Sequence, residues 1–159
     1  MENLYRHIDN LKNRFGLKVL VALNKYNTDT EAEINYLRQE LLKRGGELSL
    51  VESWVKGSDG AIDIAQKLVK LTQNEKEKLN YTYDLNESII TKIEKVAQNI
   101  YGAEGIEIEE SVKEKIERFE KMGYGNFPVC IAKTQYSFSD NPKLLEIKEP
   151  FKIHVQDVV

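Results

Sequence analysis

Apolar residues recur at two different spacings along this chain, and their alternation predicts an α/β fold. Over residues 1–15, Leu4, Ile8, Leu11 and Phe15 share one helical stripe, which needs a surface to pack against. Residues 17–23 are almost continuously apolar, as expected of a parallel strand buried on both faces. A helix follows: Thr28 and Glu31 have capping-box spacing, and Ile34, Leu37, Leu41 and Leu42 recur at helical intervals until Gly45-Gly46. Leu48, Leu50 and Val51 predict a second strand over residues 47–53. After Gly57-Ser58-Asp59-Gly60, residues Ile62, Ala65, Leu68, Val69 and Leu71 mark the apolar side of another helix. Strand, helix, strand, helix in this order implies crossovers on a parallel sheet.

The second half has a different pattern. Residues 87–101 and 111–122 predict a helical hairpin, with Ile89, Ile93, Val96, Ile100 and then Val112, Ile116, Phe119 on its apolar faces. Gly102 to Gly105 form a turn between them, leading into a short extension at residues 106–108. Residues 81–85 read equally as a linker or a short edge strand. Residues 127–132 predict a third buried strand, with Pro128 tolerable near its start, and residues 151–155 alternate like a fourth. The expected architecture is three-layered, a mainly parallel central sheet with flanking helices. Residues 1–72 would supply a βαβα ligand edge preceded by a helix, and residues 80–159 the helical hairpin plus strands.

Composition narrows the class. With 41% hydrophobic and 31% charged residues the chain is expected to be globular. No apolar run approaches the roughly 20 residues that cross a bilayer, and residues 1–16 are charged throughout, so a cytoplasmic location is the default expectation. Cys130, the single cysteine, forms no internal disulfide. His7 and His154 lie at opposite ends with no ligand-spaced Cys or acid beside them, so no metal site is expected. Net charge is −3, and the Lys and Glu residues interleaved at 74–78 and 113–121 suit solvated helix faces rather than a nucleic-acid surface.

Ligands of open α/β sheets bind beyond the carboxyl ends of the strands. Candidate residues are therefore Asn24, Lys25, Tyr26 and Asp29 after the first strand, Trp54 after the second, and Lys133, Thr134, Gln135 and Tyr136 after the third. Tyr26 and Trp54 would occupy comparable positions past two strands of one βαβ unit, where their rings either hold a flat heterocycle or simply cover the sheet edge. Asn24-Lys25 is similar to the Asn-Lys-x-Asp element of purine readers, but Asp29 stands five residues after Asn24 and is equally placed to support a helix N-terminus. Lys133 offers a point charge for phosphate or carboxylate, or is an ordinary loop lysine. None of the nine glycines opens a Gly-x-x-x-x-Gly-Lys-Ser/Thr phosphate loop, and no Gly-x-Gly-x-x-Gly follows a strand. No Ser-His-Asp or Cys-His set stands out either.

Four stretches carry a family resemblance. They are residues 21–33 (Val-Ala-Leu-Asn-Lys-Tyr-Asn-Thr-Asp-Thr-Glu-Ala-Glu), Trp54-Val55-Lys56-Gly57, Ile100-Tyr101-Gly102-Ala103, and residues 123–137 from Gly123-Tyr124-Gly125-Asn126 to Lys133-Thr134-Gln135-Tyr136-Ser137. In order and spacing the chain resembles formate-tetrahydrofolate ligase over essentially its whole length. The resemblance implies a segment truncated from a larger P-loop-type enzyme, from the later part of the subunit, after the domain bearing the phosphate loop. It implies a parent that joins formate to tetrahydrofolate using ATP with magnesium, by way of formyl phosphate. That parent would be a homotetramer activated by a monovalent cation.

Residue by residue, the family's Phe and Trp that stack a flat ring system match Tyr26 and Trp54, the Phe being replaced by a tyrosine. Whether that ring is pterin or purine stays open. The segment alone is expected to be inactive and to bind no cofactor. Its abrupt end at Val155–Val159 and its unpartnered first helix suit a cut piece of a longer protein. The competing readings are a stand-alone interaction or regulatory module docking through the first helix, and a small purine nucleotidase.

Overall fold

The computed structural model describes residues 1–73, 78–146 and 149–159, so most of the charge alternation expected at 74–78 lies outside the described residues. Two compact units emerge. One comprises residues 17–78; the other joins residues 1–16 to residues 79–159.

In the smaller unit, β1 (Val21–Asn24) and β2 (Leu48–Val51) run parallel, with Val21 opposite Leu48 and Asn24 opposite Val51. The helix between them, α2 (Glu31–Lys43), starts two residues later than the Thr28–Glu31 spacing predicted. Thr30 is the N-cap: its N–H donates to the Glu33 carboxylate at 2.9 Å, and its hydroxyl accepts from the Glu33 N–H at 3.3 Å. This reciprocal box satisfies two of the donors that every helix start leaves orphaned. Ile34 and Leu41, 1% and 0% exposed, form the buried side of α2.

The first strand departs from expectation. It spans four residues rather than seven, and it is not buried on both faces, because Val21 and Leu23 are half-buried while Ala22 and Asn24 are exposed. Among the described residues β2 is its only ladder partner, so one edge stays open. The last helix of this unit, α4 (Ile62–Thr72), also differs, since Ile62, Leu68 and Val69 of its apolar side are exposed. Polar groups hold it to β2 instead. The buried Ser49 hydroxyl donates to Asp63 Oδ2 at 2.6 Å, and Lys67 Nζ reaches Leu48 O at 2.7 Å and Asp63 Oδ2 at 2.9 Å.

In the larger unit, α1 (Glu2–Asp9) runs into a π-helical turn, Asn10–Arg14, and buries Tyr5 and Ile8. Asn10 Nδ2 donates to Ile100 O at 2.9 Å, so the first helix finds its surface within its own unit. Ser88 caps α5 (Ile89–Val96), which continues through Ala97–Tyr101 and ends at Gly102, whose φ of 75° suits glycine. A side chain there would meet the Arg6 guanidinium, since a Cβ would lie 2.4 Å from Nη2. β3 (Gly105–Ile108) pairs in parallel with β4 (Lys152–Val155), Gly105 opposite Lys152 and Ile108 opposite Val155. Between them, α6 (Glu110–Phe119) contributes Val112 and Ile116 to a core with Ile93, against which Ile106, Ile108 and Val155 pack.

Two corrections follow. The described strands form two separate two-stranded parallel sheets rather than one central sheet. The buried strand expected at 127–132 does not form. Its backbone is held by side chains instead: Tyr83 Oη accepts from Val129 N at 2.8 Å and donates to Val129 O at 3.0 Å, while Lys92 Nζ donates to Gly125 O at 2.6 Å and Phe127 O at 3.1 Å. Pro128 also supplies no ladder donor. Residues 81–85, left open above, are not a strand but the segment that brings Tyr83 to this task.

Candidate functional site

The register of β1 and β2 fixes the rim of the smaller unit. Asn24 and Val51 are opposite each other at the carboxyl ends, and Lys25 N donates to Val51 O at 2.9 Å. Tyr26 therefore stands two residues beyond the end of β1 and Trp54 three beyond the end of β2, on the same edge of adjacent strands. Both rings are open, Tyr26 66% and Trp54 94% exposed, and among the described residues neither stacks on another aromatic.

Local chemistry holds each ring's backbone. The Asp29 carboxylate accepts from Tyr26 N at 2.8 Å while Asp29 N donates to Tyr26 O at 3.1 Å, closing a tight loop. Asp29 thus supports the Tyr26 backbone, and helix capping falls to Thr30. Lys25 Nζ forms an ion pair with Glu31 at 3.2 Å, and Asn24 projects from the ladder, exposed.

Trp54 rides on a single helical turn, α3 (Ser53–Lys56), with Val55 N and Lys56 N both donating to Glu52 O. Glu52 pairs with Lys56 at 2.6 Å; that hydrogen bond holds its carboxyl below the usual range despite partial burial. Gly60 closes the turn. Glu52 N donates to Gly60 O at 3.1 Å, and a Cβ on Gly60 would lie 2.4 Å from the Glu52 carbonyl carbon.

The other candidates belong to the larger unit. Lys133 Nζ donates to Thr134 O at 2.9 Å, to Ser139 O at 2.7 Å and to Ser137 O, and sits 4.9 Å from the centre of the Tyr101 ring. Burial pushes its ammonium below the usual lysine range, opposed by the Asp140 carboxylate, and burial raises the Tyr101 phenol. Thr134 is half-buried, with Gln135 and Tyr136 exposed beside it. A cavity of about 290 Å³ opens here, walled by Tyr101, Thr134, Gln135, Tyr136, Asn3 and His7.

The loop's far end is pinned by Asp140, whose Oδ2 accepts from His154 N at 2.9 Å and lies 2.7 Å from His154 Nδ1. The roles of Gly60, Tyr83, Lys92 and Asp140 were not legible in the sequence. Only Gly60 carried a signal, as the second glycine of Gly57-Ser58-Asp59-Gly60.

The family model for formate–tetrahydrofolate ligase matches residues 1–159. This chain belongs to the formate–tetrahydrofolate ligase family. It is 44% identical over 158 residues to the formate–tetrahydrofolate ligase of Campylobacter concisus, covering 99% of this chain and 29% of that protein. The Phocaeicola vulgatus enzyme of the same name is 42% identical over 158 residues, 99% of this chain and 28% of its own length. The chain therefore spans less than a third of the length of these relatives.

Among the described residues no three His, Cys, Asp or Glu side chains are grouped to hold an ion, and the sequence contains no phosphate loop.

Proposed function

We propose that this chain is the ring-binding portion of a formate–tetrahydrofolate ligase and that Tyr26 and Trp54 hold a flat heterocycle of its substrates. The observation that carries this is the register of β1 and β2, with two solvent-exposed rings just beyond neighbouring strand ends on one rim. In the whole enzyme, formate, tetrahydrofolate and ATP would combine through formyl phosphate, and the segment's share is to fix the ring so that the reacting groups meet in one geometry. Stabilising the charge that develops belongs to residues outside this chain. The alternative of a module docking through its first helix loses support, because Tyr5 and Ile8 are buried in the helix's own unit.

The test is to titrate the chain with a folate analogue and, separately, an adenine nucleotide while following Trp54 fluorescence. Saturable quenching by one of them is expected, and silence at millimolar ligand with the protein folded would contradict the proposal. Measured by titration calorimetry, which does not depend on the single tryptophan, Trp54→Ala and Tyr26→Ala should each weaken binding about 2- to 10-fold, the value of one stacked ring, and Tyr26→Phe should change it little. In the same preparation no 10-formyltetrahydrofolate should form from formate, tetrahydrofolate and ATP; its appearance would show that the chain holds a complete active site.

A further inference from the structure

We propose that Lys133 is a positioning residue, a cationic hub around which residues 134–139 are wound so that Gln135 and Tyr136 face the ligand. A lysine ammonium has three N–H donors and no acceptor. All three have a carbonyl acceptor here, those of Thr134, Ser137 and Ser139, while the Tyr101 ring face lies 4.9 Å away. No donor is left over for a phosphate or carboxylate.

The rest of the loop fits this arrangement. Ser137 and Ser139, 8% and 2% exposed, turn inward, and Ser139 N donates to Ser137 Oγ at 3.0 Å. Gln135 and Tyr136, between two of the carbonyls that Lys133 gathers, turn out to solvent at the mouth of the cavity. Removing the ammonium would leave three inward carbonyls without a donor, which is a greater loss than removing the contact alone. That the outward residues meet a ligand rests on the proposed function above; that Lys133 organises the loop does not.

The experiment uses the full chain. In Lys133→Ala, amide hydrogen exchange at Ser137 and Ser139 should speed up about tenfold or more, with far-UV circular dichroism unchanged. Ethylammonium, which refills the carbonyl nest, should restore protection, and tetramethylammonium, which has no N–H, should not. Lys133→Met should behave like the alanine variant. Native-like exchange in either variant, or equal rescue by both amines, would overturn the hub.

If the variants fail to fold, the native protein decides. Its Lys133 Nζ resonance should be slowly exchanging and unmoved by inorganic phosphate at millimolar concentration. A fast-exchanging or phosphate-shifted signal would contradict the proposal, whatever the outcome of the heterocycle titration.

Discussion

Asp29 and Lys133 carry charges that a ligand could use, and both are directed at the protein's own backbone. Asp29 closes the turn beneath Tyr26, and Lys133 gathers the carbonyls of its loop. Their residue types were visible in the sequence, but the partner of each depends on which way a loop peptide faces, and no periodicity encodes that. The aromatic pair was more legible, because a ring past a strand end is a recognisable feature once the strand is placed.

Gly60 gives a sharp test at this scale. The obstruction to its Cβ is Glu52 backbone at 2.4 Å, not a mobile side-chain tip. Gly60→Ala should cost about 1–3 kcal/mol in chemical denaturation, the range for forcing atoms into filled space, and should weaken heterocycle binding by displacing the turn that carries Trp54. Native stability with native affinity would remove Gly60 from the positioning of Trp54.

Among the elements, helices were the most readable. Apolar spacing located all of the described α-helices except α3, a single turn too short to show a period, and each of the three described helices of the larger unit finishes in a π-helical turn that the sequence does not announce. The N-terminus of α2 was displaced because two Thr-x-x-Glu spacings overlap, Thr28–Glu31 and Thr30–Glu33, and the turn between Tyr26 and Asp29 keeps the first out of the helix. Residues 127–132 misled because an apolar run specifies burial, not a neighbouring strand. Val129 and Ile131 do pack on the core, while Tyr83 and Lys92 take the backbone bonds a ladder would have used.

The exposed edge of β3 and β4 carries a titratable bridge. His154 Nδ1 lies 2.7 Å from Asp140 and Nε2 lies 3.0 Å from Glu107, with Lys152 on the other oxygen of Glu107 at 3.2 Å. The hydrogen bond with Asp140 raises the imidazole above its usual value of 6.5, outweighing desolvation. A folded value above the unfolded one means that the bridge contributes fully below about pH 6.5 and is lost as pH rises through the folded value. Glu107 is held low by its hydrogen bond with Lys152. Asp140 is held low by His154 although burial works against it, and both acids lose their contribution as pH falls through the carboxylate range. Thermal melts across pH should therefore show a plateau between those limits, and His154→Gln should abolish the alkaline decline. An unchanged decline in that variant would exclude the bridge as its cause.

At the scale of the whole molecule, the sequence supported an α/β class with parallel strand pairing and membership of the formate–tetrahydrofolate ligase family. It did not disclose that residues 1–16 join residues 79–159 while residues 17–78 form a unit of their own. Partition into units depends on contacts between distant parts of the chain, whereas apolar spacing reports only on neighbours. The open edge of β1 and the uncovered apolar side of α4 show why the smaller unit was misjudged: both elements carry the pattern of a buried position without the burial.

The proposed slot between an indole and a phenol is tested most directly by proton NMR of the native chain during addition of a reduced pteridine and, in a parallel sample, adenosine. A ring held between the two side chains predicts saturable upfield shifts of both the Trp54 indole and Tyr26 ring protons, with one common dissociation constant for the ligand that belongs there. Shifts confined to one side chain, or none with either ligand, would contradict it.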